Sequence, residues 1–290
     1  MEKATGDLRI IQLEALEILS FFDKLCKEQG FTYYLAYGTL LGAVRHKGFI
    51  PWDDDVDVWM PRNDYMKLLA FLKTSNTDAR FGLSEGKYKV NGDRPAEFQM
   101  RVIDKTMQIS RVFAGKQTVM HPWIDVFCLD VFPENKKETY LKKFKKHLFM
   151  YKVARCKTFL IEEDSLFGKA NKIIYTLHNK FHLFKHVLNE EKQKDKTVAT
   201  LTKYQNTDGD NYKEYFCYAA VYLPQPAKCF FSKEWFAEPV QVEFEGKSFS
   251  APKDWDAVLT TLYKDYMQLP PENRRQCTHG AKLIEMQPVD

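Results

Sequence analysis

The sequence has no uninterrupted apolar run of the ~18 residues that a membrane-spanning helix requires, so no helical span is expected. Its opening residues carry Asp7, Arg9, Glu14 and Glu17, which break up any signal-peptide core, and a cytoplasmic protein is expected. There is no Walker A loop, no dinucleotide fingerprint and no Gly-x-Ser-x-Gly elbow. The chain also lacks C-x-x-C and any Cys/His pairing at zinc-finger spacing; its 6 cysteines are scattered in apolar neighbourhoods and read as reduced core thiols. No strong charge bias is present either. A net charge of +4 from 43 basic and 39 acidic residues gives no reason to expect a nucleic-acid partner. What remains is a chain of 290 residues, long enough to bury a substantial core as one large domain or two small ones.

One stretch, residues 34–60, concentrates the chemistry. It ends in Asp53, Asp54, Asp55 and Asp57, a cluster that repels itself unless a cation neutralises it. The run after Asp55 alternates apolar and polar residues like a strand, so Asp55 and Asp57 share one face while Val56 and Val58 pack on the other. Paired carboxylates on a strand suit a hard cation, magnesium (Mg2+) or alternatively manganese (Mn2+), that keeps phosphate oxygens among its ligands. An EF-hand calcium loop is excluded because Val58 stands where that loop requires glycine. Ahead of the acids, Gly38 and Thr39 follow a strand over 33–37 and open a short helix over 40–46. A helix N-terminus offers free N–H groups to a phosphate, with Gly38 allowing close approach and Thr39 capping the helix or donating its hydroxyl. Arg45 and Lys47 either add positive charge near those phosphates or form a solvated helix end.

The run GTLLGAVRHKGFIPWDDDVDV, long and nearly continuous, resembles the signature of the LicD family, phosphocholine transferases of the nucleotidyltransferase superfamily. The resemblance covers roughly 30–133 well and 215–280 more loosely. It implies an α/β (α+β) fold with a nucleotidyltransferase-type mixed sheet, a helical insertion and a C-terminal cap. It implies metal-dependent transfer of phosphocholine from CDP-choline, a nucleotide-diphosphate donor, to a hydroxyl of a cell-surface glycan or its lipid-linked precursor, with release of CMP. Transfer of another headgroup or sugar phosphate, or a non-catalytic nucleotide- or glycan-binding role, are the alternatives. Asp55, Asp57 and Asp125 are then the catalytic, metal-binding carboxylates, with Asp125 completing the metal site or acting as general base. The tail over 263–279 also resembles LicD proteins and makes Tyr266, Arg274 and His279 candidates for closing the substrate pocket, His279 being otherwise a surface residue.

Along the chain, an amphipathic helix is expected over 7–29, ended by Gly30, and a second after Pro61, capped by Asn63 or Asp64. Segments 97–103 and 108–113 read as strands. Arg101 in the first either reaches donor phosphates or pairs with Glu97 or Asp104 at the surface. Segment 123–132, WIDVFCLDVF, is a buried strand in which Asp125 needs a partner or a metal. Asp130, at its end, is expected to be a cap or turn residue. The organisation read from composition is a catalytic core over 1–133, a basic helical insertion over 134–210, and strands and a helix over 211–290 that complete the core. The basic stretch from Lys136 is either a solvated face or a surface that meets anionic lipid or an anionic polymer, with peripheral contact at the inner membrane face as its consequence. His178, His182 and His186 lie four apart, as a polar helix face or a metal site. Further strands are expected over 215–223 and in a hairpin over 240–249, then a last helix from about Trp255.

Overall fold

The computed structural model describes residues 3–74, 79–84, 98–113, 116–155, 189–220, 226–277 and 282–283. It is a mixed α/β structure organised on β7 (Trp123–Val131), whose nine residues are all buried. A strand this apolar must be covered on both faces. β2 (Asp57–Pro61) runs parallel to it, pairing Asp57 with Asp125, while β4 (Gln99–Asp104) runs antiparallel on the other side, pairing Arg101 with Asp125. β1 (Tyr34–Leu35) and β3 (Phe81–Leu83) extend the sheet beyond β2 and β4, giving the order β1-β2-β7-β4-β3. The end of β7 takes up β8 (Glu214–Phe216), which pairs with β9 (Phe230–Ser232).

Helix α1 (Gly6–Gln29) packs Ile18, Leu19, Phe22 and Cys26 into the main core and ends at Gly30 in the left-handed conformation, as its sequence predicts. Helix α2 spans Tyr37–His46, so Gly38 and Thr39 lie in its first turn rather than before it. Helix α3 (Arg62–Thr74) follows β2 directly: Pro61 is the strand's last residue, and Asp64, expected as a cap, instead accepts the Thr32 N–H at 3.0 Å. Segment 108–113 is a strand, β5 (Ile109–Phe113), but it belongs to a separate antiparallel sheet with β6 (Lys116–Met120) and β12 (Lys282–Leu283). The expected strand over 215–223 is shorter; after β8 the chain turns into a 3-10 helix at Tyr218–Ala220.

The basic segment forms α4 (Lys137–Arg155) and α5 (Glu190–Leu201). Its Tyr140, Phe144, Leu148, Tyr151 and Leu201 build a second core with Phe98, Phe132, Phe216 and Phe230 from the sheet side. The cluster of His178, His182 and His186, like the first part of the second helical run, lies outside the described residues. Cys26, Cys128, Cys217 and Cys229 are buried free thiols, as their surroundings predict. Asp130 is no cap. It is fully buried in a two-pronged ion pair with Arg62, at 2.6 and 2.8 Å, because the helix entering after Pro61 points Arg62 back under β7.

The hairpin β10 (Val240–Phe244) and β11 (Lys247–Ala251) turns at Glu245 and Gly246, both at positive φ, as a two-residue turn of this hand requires. Helix α6 (Trp255–Tyr263) follows, capped by Asp254, whose side chain accepts the Ala257 N–H at 3.0 Å. At the hairpin tip the Glu245 carboxylate accepts from Arg9 (2.7 Å), Lys3 (2.8 Å) and the Phe49 N–H (3.2 Å). Burial alone would raise its pKa, but these donors outweigh it and pull it down to about 2 from 4.5. A depressed carboxylate contributes stability that is fully present above pH 4.5 and is lost as pH falls toward 2. Glu245→Gln should therefore lower the melting temperature at neutral pH and flatten its fall across that acid window, as a thermal-denaturation series against pH would read.

Candidate active site

The acidic stretch is built by close packing around two glycines. At Gly42 a side chain would meet the Gly48 carbonyl oxygen at 2.5 Å, so only glycine lets α2 fold back onto the loop that leads to the acids. At Gly38 a side chain would stand 2.6 Å from an Asp53 carboxylate oxygen. The close approach expected of a phosphate at the start of α2 is thus made in this structure by the Asp53 carboxylate. Thr39 does not cap its helix. Its hydroxyl accepts the Asp57 backbone N–H at 2.9 Å, while the Ala36 N–H donates to the Asp57 carbonyl at 3.0 Å. Tyr37, which starts α2 at a φ of 42°, carries local strain between Trp59 and Phe127, whose rings lie 4.7 and 5.5 Å away.

Asp57, Asp125 and Arg101 stand in register across β2, β7 and β4, so their side chains share one face of the sheet. One Asp125 oxygen accepts from Gln99 at 2.6 Å and from Arg101 at 2.8 Å; the other accepts from the Trp123 indole N–H at 2.9 Å. Burial opposes its charge, yet these three donors hold its pKa below the ordinary carboxylate value. Arg101 also lies over the Trp123 ring, 4.4 Å from its centre. Among the described residues Arg101 pairs with Asp125, while Asp104 is engaged by Arg80; Glu97 lies outside the described residues.

Asp57 has the opposite environment. It is pushed well above the usual carboxylate range by desolvation and by the charges of Asp55, Asp125 and Asp53, against a weaker pull from Arg101. Asp53 is raised by burial, then by Asp55 and Asp54. Among the described residues, Asp53, Asp54 and Asp55 bring carboxylate oxygens within 4.8 Å of one another. The donor set is all hard oxygen and carries more negative charge than Arg101 offsets, which fits a divalent cation of the magnesium kind. Asp55 thus belongs both to this loop cluster and to the field around Asp57.

The basic and aromatic candidates are spread more widely. Arg45, at the far end of α2, donates to the Tyr266 carbonyl at 2.8 Å and to the Gln268 carbonyl at 3.4 Å, so it pins the segment after α6. Lys47 is exposed and closes α2 in the left-handed conformation. The Tyr266 hydroxyl donates to Asp256. Arg274 lies exposed on a 3-10 turn, whereas its neighbour Arg275 faces the Trp52 ring at 6.0 Å beside the acidic loop. His279 lies outside the described residues. Two residues of the site carried no sequence signal. Tyr263 keeps part of its surface exposed, while its hydroxyl pKa is raised by burial and then by the charges of Asp57, Asp53 and Asp55, so it lies within electrostatic range of the acids. The buried Gln12 of α1 donates to the Asp53 carbonyl at 2.8 Å and fixes the loop from behind. Periodicity marks both only as helix positions; neither type nor spacing signals the contact.

These features define a mixed α/β protein whose polyacidic site stands at the start of two adjacent parallel strands, faced by a helix N-terminus and one sheet-borne arginine. The family model described as LicD/FKTN/FKRP, nucleotidyltransferase domain, matches residues 30–159. The lipopolysaccharide cholinephosphotransferase LicD of Haemophilus influenzae is 31% identical over 288 residues, covering 96% of this chain and 97% of that protein. Uncharacterized proteins of Rickettsia typhi and Rickettsia prowazekii match shorter stretches, at 30% identity over 143 residues (47% of this chain, 41% of that protein) and 37% over 60 (21% and 23%). The chain belongs to the LicD family.

Proposed function

We propose that this protein is a phosphocholine transferase that takes phosphocholine from CDP-choline, passes it to a hydroxyl of a cell-surface glycan or its lipid-linked precursor, and releases CMP. The full-length match to a lipopolysaccharide cholinephosphotransferase carries the reading, and the row Arg101–Asp125–Asp57 beside the acidic loop supplies chemistry that suits it. In the reaction the acceptor oxygen bonds to the phosphorus that bears choline. The bond from that phosphorus to the oxygen of CMP breaks, and the acceptor proton is lost to a base.

Asp55 and Asp57, with Asp125, would hold a divalent cation, magnesium or manganese, which when bound neutralises charge on the phosphates. Asp125 already accepts three side-chain hydrogen bonds, which favours it as a charge-holding anchor over a proton acceptor. Its bond orients the Arg101 guanidinium, a fork suited to phosphate oxygens. Gly38 and the first turn of α2 would meet the donor phosphates once Asp53 turns away, and Thr39 holds the Asp57 backbone in place for them. Trp52 and Tyr263, near the acids, offer faces for a quaternary ammonium.

Calorimetric titration of CDP-choline, CDP-ethanolamine, CDP-ribitol and ATP, with and without magnesium, on wild type and Asp57→Ala tests this reading. CDP-choline should bind with magnesium present, and the binding should vanish in the variant. Preference for another CDP donor would change the transferred group. Absence of any magnesium-dependent nucleotide binding would overturn the enzyme reading.

A further inference from the structure

The inner face of α4 is complete without its lysines. Tyr140, Phe144, Leu148 and Tyr151 are buried in the second core. The outward face presents Lys142, Lys143, Lys145 and Lys146, all exposed. In their midst is Phe149, whose relative exposure is 47%. With 3.6 residues per turn, Phe149 stands three, four and seven positions after Lys146, Lys145 and Lys142, so it projects from the same stripe as these three. The acid at the start of the helix, Glu138, lies a turn earlier and reaches only Lys142, at 3.8 Å across two largely exposed side chains.

The neighbouring α5 is an internal contrast. Its exposed positions mix Glu190, Glu191 and Asp195 with Lys192 and Lys196, as a face turned to plain solvent does. At the seam of the two helices, burial first and then the charge of Lys143 push the pKa of His147 down, against a hydrogen bond to the Lys196 backbone that raises it. A face of one sign with an aromatic side chain held among lysines is the pattern of an interfacial helix. Its cations meet anionic headgroups while the ring enters the acyl boundary.

We propose that the outer face of α4 docks this protein on an anionic lipid bilayer. Charge complementarity commits the lysines to an anionic surface, and the exposed Phe149 favours a bilayer over a soluble polyanion, which offers the ring nothing apolar to enter. The surface is separate from the acidic site and does not depend on which group that site transfers.

Co-sedimentation of the full chain with vesicles tests it, using phosphatidylcholine alone and phosphatidylcholine with about one third phosphatidylglycerol. Binding should appear on the anionic vesicles and weaken as salt rises. Lys142→Gln/Lys145→Gln/Lys146→Gln should weaken it on the order of 100-fold, at about fivefold per lysine, and Phe149→Ser by about tenfold. In a Phe149→Trp protein, read as a difference spectrum against the parent, the added emission should shift to the blue on anionic vesicles. The three lysines are exposed, so their variant should keep the parent melting temperature, and binding by the Phe149 variants is compared below their own melting transitions. Equal binding to neutral vesicles, parent-like binding by the lysine variant, an unshifted difference spectrum for Phe149→Trp, or tighter binding to soluble heparin than to vesicles would each overturn the proposal.

Discussion

Asp57→Asn is expected to abolish transfer and, in the absence of metal, to make the protein more stable. Asp57 is the half-buried first residue of β2. The carboxylates of Asp55, Asp125 and Asp53 press on it, with Arg101 as the opposing charge. An amide of the same shape removes one negative charge from that set and one poorly solvated ion, so the metal-free fold loses repulsion. The same change removes a ligand for the cation and should cost on the order of 10²-fold or more in rate, as removal of a preorganised charge-stabilising group does. Each kcal/mol gained would appear as about 2–4 °C in melting temperature. A second signature follows from linkage: magnesium should raise the melting temperature of the wild type, because a ligand of the folded state stabilises it, and should raise that of Asp57→Asn far less. An Asp57→Asn protein that melts lower without metal, or that still transfers at near wild-type rate, would refute the assignment of Asp57.

Asp130→Ala should behave in the opposite way. The Arg62–Asp130 pair is almost wholly excluded from water, with side-chain exposures of 2% and 0%. Burial raises the pKa of Asp130 and Arg62 offsets only part of that rise, so the carboxylate depends on its partner to stay ionised. Truncating one partner strands the guanidinium in the core, a loss of about 3–5 kcal/mol, whereas replacing both with apolar residues of similar volume is often neutral or stabilising. Urea midpoints should therefore fall steeply for Asp130→Ala and recover in Arg62→Met/Asp130→Leu. Below the transition, donor binding per folded molecule should stay at the wild-type value in both, because Asp130 sits five residues along β7 from Asp125 and points to Arg62. Equal stability of the single variant and wild type would show that the pair is solvated in solution.

The two acids of one strand, Asp125 and Asp130, show what a sequence discloses and what it withholds. Asp125 stood out because an acid inside WIDVFCLDVF demands a partner, whereas Asp130, near the strand's end, read as a cap or turn residue and its buried pairing went unseen. The demand is local and readable; the partner is not. Asp125 draws on Gln99 and Arg101 from β4, and Asp130 on Arg62, 68 positions away. Those meetings depend on strand order and register, which the one-dimensional pattern leaves open. The run 34–60 was legible because its turn, helix and acids are contiguous, and so were α1, β7 and the hairpin, whose periodicity and turn residues agree with their surroundings. By contrast, β6 and the shortened β8 owe their limits to pairing with distant strands. Tyr263 comes within range of the acids only through the packing of α6 beside α2, which no local pattern discloses.

The clasp at Glu245 also bears on the order in which the molecule comes together. It joins Arg9, near the start of the chain, to a hairpin 236 positions later, and through the Phe49 N–H it grips the loop that carries the acids. While the ribosome is still making the chain, α1, α2 and the acidic loop must wait for residues 240–251 before that grip can close. Contacts of such long sequence separation are made late, after the loop-closure entropy has been met. The nascent chain therefore carries its crowded carboxylates on an unclamped loop through most of synthesis, and the site acquires its final shape in the same closing step that brings the two ends of the fold together.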